Sequence, residues 1–132
     1  MRVLIVDDNQ DAARSLAAIL LIKGHTIRMA FSGSMAVKEA SMFKPHLVLM
    51  DIGMSGMDGL ESCRIMRKAL PGAMRIVAIT GYDSPEDKNR TAVAGFDDHL
   101  VKPVDFAQLD MILGTVVARL SDEGSNNDGE EA

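Results

Sequence analysis

The stretch Leu47-Val-Leu-Met-Asp-Ile-Gly-Met-Ser-Gly-Met-Asp-Gly-Leu60 decides how the chain folds. Leu47–Met50 is an apolar run of strand length, the signature of a strand buried on both faces. Asp51 follows at once, then a loop rich in Gly and Met. Leu60, Cys63, Met66 and Leu70 then recur at helical spacing. The stretch therefore reads as strand, acid, loop, helix, and it raises the question of why a carboxylate stands at the mouth of a hydrophobic core.

The same texture extends in both directions. Short apolar runs lie at Val3–Val6, Thr26–Ala30, Leu47–Met50, Ile76–Ile79 and His99–Val101. Helical stripes separate them. Ala13, Leu16, Ile19, Leu20 and Lys23 share a face, stopped by Gly24. Ala36, Val37, Ala40 and Phe43 form a second, closed by Pro45, and the third ends before Pro71-Gly72. The fourth starts at Ser84-Pro-Glu-Asp and ends at Gly95. Phe106, Leu109, Leu113, Val116, Val117 and Leu120 form the fifth, capped by Asp105. Strand and helix alternate five times, which predicts an α/β fold with a parallel sheet covered on both faces. Right-handed crossovers and short connections leave the flavodoxin-like doubly wound (βα)5 sheet, in strand order 2-1-3-4-5.

Composition bounds the rest. A chain of 132 residues that is 47% hydrophobic suits one folded domain, here residues 1–120. Residues 121–132 hold five acids and no base, so they read as an acidic disordered tail. The apolar runs are far shorter than the roughly 20 residues of a membrane span, and the N-terminus has no signal-peptide core. Cys63 is the single cysteine, which excludes an internal disulfide and fits a reducing cytoplasm. Net charge is −5 with no Lys/Arg stripe, which argues against direct nucleic-acid binding.

In such a sheet, ligands bind outside the carboxyl ends of the strands, at the switch point between strands 1 and 3. Strand 1 ends in Asp7-Asp8, strand 3 in Asp51, strand 4 in Thr80-Gly81 and strand 5 in Lys102-Pro103, while strand 2 ends in the neutral Phe31-Ser32. Three carboxylates, a hydroxyl and an ammonium thus converge. Crowded carboxylates repel and require cationic company. Lys102 supplies one charge; a divalent cation supplies two, and oxygen ligands without nearby His or Cys favour Mg²⁺ over Zn²⁺. Mg²⁺ keeps waters and shares phosphate oxygens, so the set suits a phosphoryl group. No glycine-rich cradle follows strand 1, which disfavours a bound nucleotide.

The pieces LIVDDN (4–9), LVLMDIGMSGMDG (47–59), AITGY (78–82) and GFDDHLVKPV (95–104), in this order and at these strand ends, resemble the receiver domain of two-component response regulators, over residues 2 to about 120. The resemblance implies that Asp51 is the phosphoacceptor, attacking a phosphohistidine on a sensor histidine kinase or histidine phosphotransfer protein. Asp8 and Asp51 would coordinate Mg²⁺ directly with the backbone carbonyl of Gly53, and Asp7 mainly through water. Lys102 would pair with Asp51 and then with a phosphoryl oxygen, and its bond to Pro103 is expected to be cis. Thr80 would bond the phosphoryl group and act with His99, where the family often has Tyr or Phe, as the switch. The responding face is built from helix 4, strand 5 and helix 5, in a monomer or a weak phosphorylation-dependent dimer whose output passes through another partner. Ser55 stands where the family usually has Pro. Gly53 has no side chain to position a water and Tyr82 is large enough to shield the site, so self-hydrolysis is expected to be modest. TGY and HLVKP look like receivers attached to hybrid kinases, whereas Met1 directly before strand 1 looks like a free-standing protein or an excised piece.

Plainer readings stand beside these. Asp7 or Asp8 alone would serve as a helix cap, and Asp51 as a turn cap, with Asp58 better placed to cap helix 3. Lys102 alone would be a strand-end lysine and Thr80 part of a turn. His99 alone would be a packed surface histidine; His25 and His46 read as structural. Met54 and Met57 read as loop packing, Cys63 as core, and Arg64, Arg67 and Lys68 as a solvated helix face. Two rival functions differ in kind. A phosphohydrolase with an Asp nucleophile commonly needs a second Asp two positions on, where Gly53 stands, and a cap domain. A degenerate receiver acting as a phosphorylation-independent binding module is disfavoured because all five site residues are intact.

Overall fold

The computed structural model describes residues 1–53, 59–70, 72, 74–81 and 85–131, with side chains as far as Asp122. The readings made above for Met54, Ser55, Met57, Asp58, Pro71, Tyr82 and Ser84 fall outside the described residues. Among the described residues, strand and helix alternate as β1 (Arg2–Val6), α1 (Gln10–Ile22), β2 (Thr26–Ala30), α2 (Gly33–Phe43), β3 (Leu47–Asp51), α3 (Gly59–Ala69), β4 (Arg75–Thr80), α4 (Pro85–Ala94), β5 (Asp98–Val101) and α5 (Phe106–Glu131). The strands pair in parallel in the order β2-β1-β3-β4-β5, the predicted flavodoxin-like sheet.

The period-two geometry of the strands explains two cores rather than one. Leu4 and Val6, Val48 and Met50, and Ile76 and Ala78 point to the side covered by α2, α3 and α4. Val3 and Ile5, Leu47 and Leu49, and Val77 and Ile79 point to the side covered by α1 and α5. The central strands are apolar without interruption because both faces are covered.

Helix ends follow local chemistry. Asn9, not Asp7 or Asp8, is the N-cap of α1, accepting from the Ala12 amide at 3.1 Å. Ser32 caps α2 through Met35 N at 3.1 Å, and Asp105 accepts from Ala107 N at 2.8 Å. Gly24 (φ +92°) and Gly95 (φ +109°) take left-handed conformations just past α1 and α4. Helix α2 ends just before Pro45, as expected, with Lys44 as a left-handed cap at φ 52°.

The backbone of α5 runs on past the apolar stripe. Among the described side chains, Leu120 is the last of the helix packed on the body, and the backbone is helical to Glu131, through the segment read as a tail.

Candidate functional site

Three site residues are delivered by backbone bonds that carry the strand ladders one step past their last paired residues. Asp7 N donates to Ala30 O at 3.1 Å, Ile52 N to Ile79 O at 3.1 Å, and Lys102 N to Thr80 O at 2.7 Å. Asp7, Asp51 and Lys102 therefore inherit the register of the sheet rather than the freedom of a loop. Because the strands are parallel, all of these ends meet at one edge.

At that edge Asp51 is buried, with 6% of its surface exposed. Its Oδ2 accepts from Lys102 Nζ at 2.8 Å and its Oδ1 from Gly53 N at 2.8 Å. Asp7 is half-buried and Asp8 exposed. One oxygen from each of Asp7, Asp8 and Asp51 lies within 4.8 Å of the others. Burial holds the Asp7 carboxyl above its usual range; the Asn9 amide and the Lys102 ammonium oppose that shift, and Asp51 adds to it. The hydrogen bond to Asp51 holds Lys102 above its ordinary value, against the effect of burial and with the help of Asp51, Asp7 and Asp8. The two shifts have different first causes: burial disfavours the charged Asp7, whereas the hydrogen bond to Asp51 favours the charged Lys102.

The remaining predicted residues fall around this centre. Thr80 is 2% exposed and ends β4, with its carbonyl bonded to the Lys102 amide. Gly53 stands over the Asp51 carboxylate, where an added Cβ would lie 3.3 Å from Oδ1. The Lys102–Pro103 peptide is cis. His99 is set apart. It lies on β5 opposite Ala78, about 10 Å along the strand from Lys102, and is half-buried. It lines two grooves, one of about 290 Å³ against α5 and one of about 300 Å³ against α4. His46 Nδ1 accepts from the Arg2 amide at 2.9 Å and Cys63 is fully buried, as befits structural residues.

The donor set fits a hard divalent cation. The three acids offer only oxygen, Asp8 is exposed enough to leave room for water, and three carboxylates against one ammonium leave two negative charges, which one Mg²⁺ balances. A second feature of the site was not apparent in the sequence. A largely apolar groove of about 410 Å³ opens beside Asp7 and Lys102, lined among others by Ala12, Leu16, Ile19 and Phe106. Its signal was present in the stripes: Phe106 heads the α5 stripe yet is 51% exposed.

The family model of the response regulator receiver domain matches residues 3–113. Protein PilH of Pseudomonas aeruginosa is 36% identical over 118 residues, covering 89% of this chain and 98% of PilH. The chain spans about half the length of the mycobacterial response regulators MprA that it also matches. A CheY-like receiver domain protein of Methanospirillum hungatei superimposes with a TM-score of 0.82 at 29% identity, covering 92% of this chain and 97% of that one. The receiver domain of a Saccharomyces cerevisiae response regulator, solved with a histidine phosphotransfer signalling protein, superimposes at 0.78 with 28% identity over 83% of each chain. With this fold and this acidic edge, the chain belongs to the response regulator receiver domain family. Its relatives are components of two-component signalling, and no helix among its described residues is long and apolar enough to cross a membrane.

Proposed function

We propose that this receiver is a phosphoacceptor switch: Asp51 takes a phosphoryl group from a phosphohistidine on a sensor histidine kinase or histidine phosphotransfer protein, and the change is read on the face formed by α4, β5 and α5. The observation that supports it most is the setting of Asp51. It is a buried carboxylate with each oxygen held at 2.8 Å, one by an ammonium and one by an amide, beside two further acids. A nucleophile oriented in this way has little entropy left to lose in reaching the donor phosphorus. In the transfer, an Asp51 oxygen forms the new O–P bond as the donor N–P bond breaks, and the electron pair returns to the imidazole. Lys102 follows the developing charge onto a phosphoryl oxygen, and the Thr80 hydroxyl donates to another. Asp8, Asp51 and the Gly53 carbonyl would hold Mg²⁺, with Asp7 acting through water. When bound, the ion supplies electrostatic stabilisation of the phosphoryl oxygens.

The apolar groove continuous with Asp7 and Lys102 suits the donor's histidine-bearing helix, since its occupant would lie directly beside the acceptor. Thr80 and His99 carry the switch, biasing a two-state equilibrium of the α4–β5–α5 face. The chain turns over no separate substrate; it promotes its own phosphorylation and, slowly, its own dephosphorylation. It acts in the cytoplasm as a monomer or weak phosphorylation-dependent dimer, with residues 1–120 as the receiver body and 121–132 as an acidic tail. Acetyl phosphate or beryllofluoride with Mg²⁺ should shift NMR signals around Asp51, Thr80 and His99, and Asp51→Asn should abolish the response. A silent wild type, or an equal response in the variant, would refute the proposal.

A further inference from the structure

We infer that Arg67 is a positioning residue for the switch face: it anchors the carboxyl end of α4 and the start of β5, so that α4 is held at one end and turns about Gly95. The helix-face reading of Arg67 does not survive the structure. Its guanidinium reaches the segment after α4 and the residue before β4 at once. Nε donates to Gly95 O at 2.8 Å, Nη1 to Met74 O at 2.5 Å, and Nη2 pairs with Asp97 Oδ2. That same carboxylate oxygen accepts from Ile76 N at 2.8 Å, and Asp97 N donates to Ile76 O at 2.7 Å. One planar fork and one carboxylate thus lock the last turn of α3, the start of β4 and the turn into β5. The Arg67 and Asp97 side chains are 27% and 33% exposed, so the pair is better shielded than a typical surface ion pair.

Gly95 makes room for this arrangement. At φ +109° it ends α4, and a Cβ there would lie 2.9 Å from Arg67 Cγ. The amides of Gly95 and Phe96 close back onto Ala92 O and Thr91 O, each at 3.1 Å. The packing of α4 is concentrated at the same end: its buried residues are Thr91 and Ala94, Phe96 just beyond is buried too, and Pro85–Arg90 are exposed or half-buried. A ten-residue helix is about 15 Å long, so a helix gripped at its end behaves as a lever. A change beginning at Thr80 would displace the amino end of α4, while Asp97 keeps β5, and with it His99, in register on β4.

The source of that displacement rests on the proposed phosphoacceptor role; the anchoring itself does not, and the two are tested separately. In the phosphoryl-free protein, hydrogen exchange is compared for wild type, Arg67→Gln and Arg67→Lys. The amides of Ile76, Gly95, Phe96 and Asp97 should exchange about tenfold faster in Arg67→Gln, the scale expected for losing a charge-assisted bond. Those of Ile5 and Leu49 should keep their rates. Arg67→Lys should give the same pattern, because an ammonium cannot span three acceptors with one plane. Equal acceleration at all amides, or none at the four named, would overturn the inference. If Arg67→Gln does not fold, Asp97→Asn provides the same readout. In the second arm, beryllofluoride with Mg²⁺ is added to wild type. Shifts that are large over Pro85–Arg90 and small over Gly95–Asp97 support the pivot, and shifts of equal size at both ends overturn it. A wild type that does not respond at all refutes the phosphoacceptor reading, and the exchange arm alone then decides the anchor.

Discussion

Replacing Asp7 with Asn should make the metal-free protein more stable, although Asp7 stands at the centre of the candidate site. The substitution keeps shape, and the amide oxygen can still accept the 2.9 Å bond from Asn9 N. What it removes is one of three charges whose oxygens lie within 4.8 Å of one another. Two unit charges at 4.8 Å repel by about 0.9 kcal/mol at the dielectric constant of water and about 3.5 kcal/mol at an effective constant near 20. The Asn9 amide and Lys102 favour the charged Asp7 and offset part of the repulsion from Asp51; burial of Asp7, the largest cause, remains. The balance is a net gain at pH 7 in EDTA on the order of 1 kcal/mol, the scale of the Coulomb repulsion in water. The sign with pH follows from the raised Asp7 pKa. The native state holds this proton to higher pH than the unfolded chain, so the penalty is absent well below 3.8 and complete above the raised value. The variant's advantage should therefore fade in acid. Mg²⁺ should narrow the gap. Wild type gains about 1.4 kcal/mol at a tenfold excess over the dissociation constant, and Asp7→Asn gains less. Urea unfolding of both proteins, in EDTA and in Mg²⁺, measures every term. An Asp7→Asn protein no more stable than wild type in EDTA at pH 7, or one stabilised equally by Mg²⁺, would refute the reasoning.

Three further outcomes follow from packing and charge elsewhere in the fold. Gly59→Ala places a Cβ 2.7 Å from Ile52 Cα and 3.1 Å from Asp51 O; it should cost about 1–3 kcal/mol in urea unfolding and move the NMR signals of Asp51, whereas a neutral substitution would show that α3 does not press on the site. Burial pushes the Cys63 thiol up to about 11 from 9.0, so at pH 8 its thiolate is about a hundredfold scarcer than in an unfolded chain. Alkylation should be at least that much slower in the native protein than in denaturant, and comparable rates would contradict the buried placement. His25 is held below its ordinary pKa, chiefly by burial and then by the N-terminal ammonium and Lys23. The unfolded chain therefore takes up this proton first as pH falls below about 6.5, and native stability drops from there down to the lowered pKa. His25→Gln should flatten the urea midpoint between pH 7 and 5; an unchanged slope would count against it.

Much of the architecture could be read in advance because local and global signals agree. Leu47–Met50 is apolar on both faces, so its strand could lie only in the middle of a covered sheet, and the acid after it had to emerge at the carboxyl edge. Asp7, Asp51 and Lys102 were legible for the same reason, being tied to strand ends. The sequence carried less where a side chain works across elements. Arg67 follows the buried stripe of α3 as any solvated arginine might, and only the meeting of β4, α4 and β5 reveals its three acceptors. Phe106 looked like core, but the groove beside Asp7 needs α1 and α5 to be set side by side before it exists. The apolar stripe of α5 was legible as far as Leu120, which is also the last described side chain of that helix packed on the body.

Asp7, Asp51 and Lys102 each stand at, or one residue past, the final pairing of their strands. Deleting one residue inside β1, β3 or β5 would draw that group back by about 3.3 Å and turn it to the opposite face of the sheet. Changes in chain length are therefore tolerable only at the opposite rim, in the turns Lys23–His25 and Lys44–His46, where added residues leave every strand end in place. An inserted epitope or a new pair of termini at those two turns should leave the acidic edge intact, and the same insertion between Asp7 and Asn9 should not.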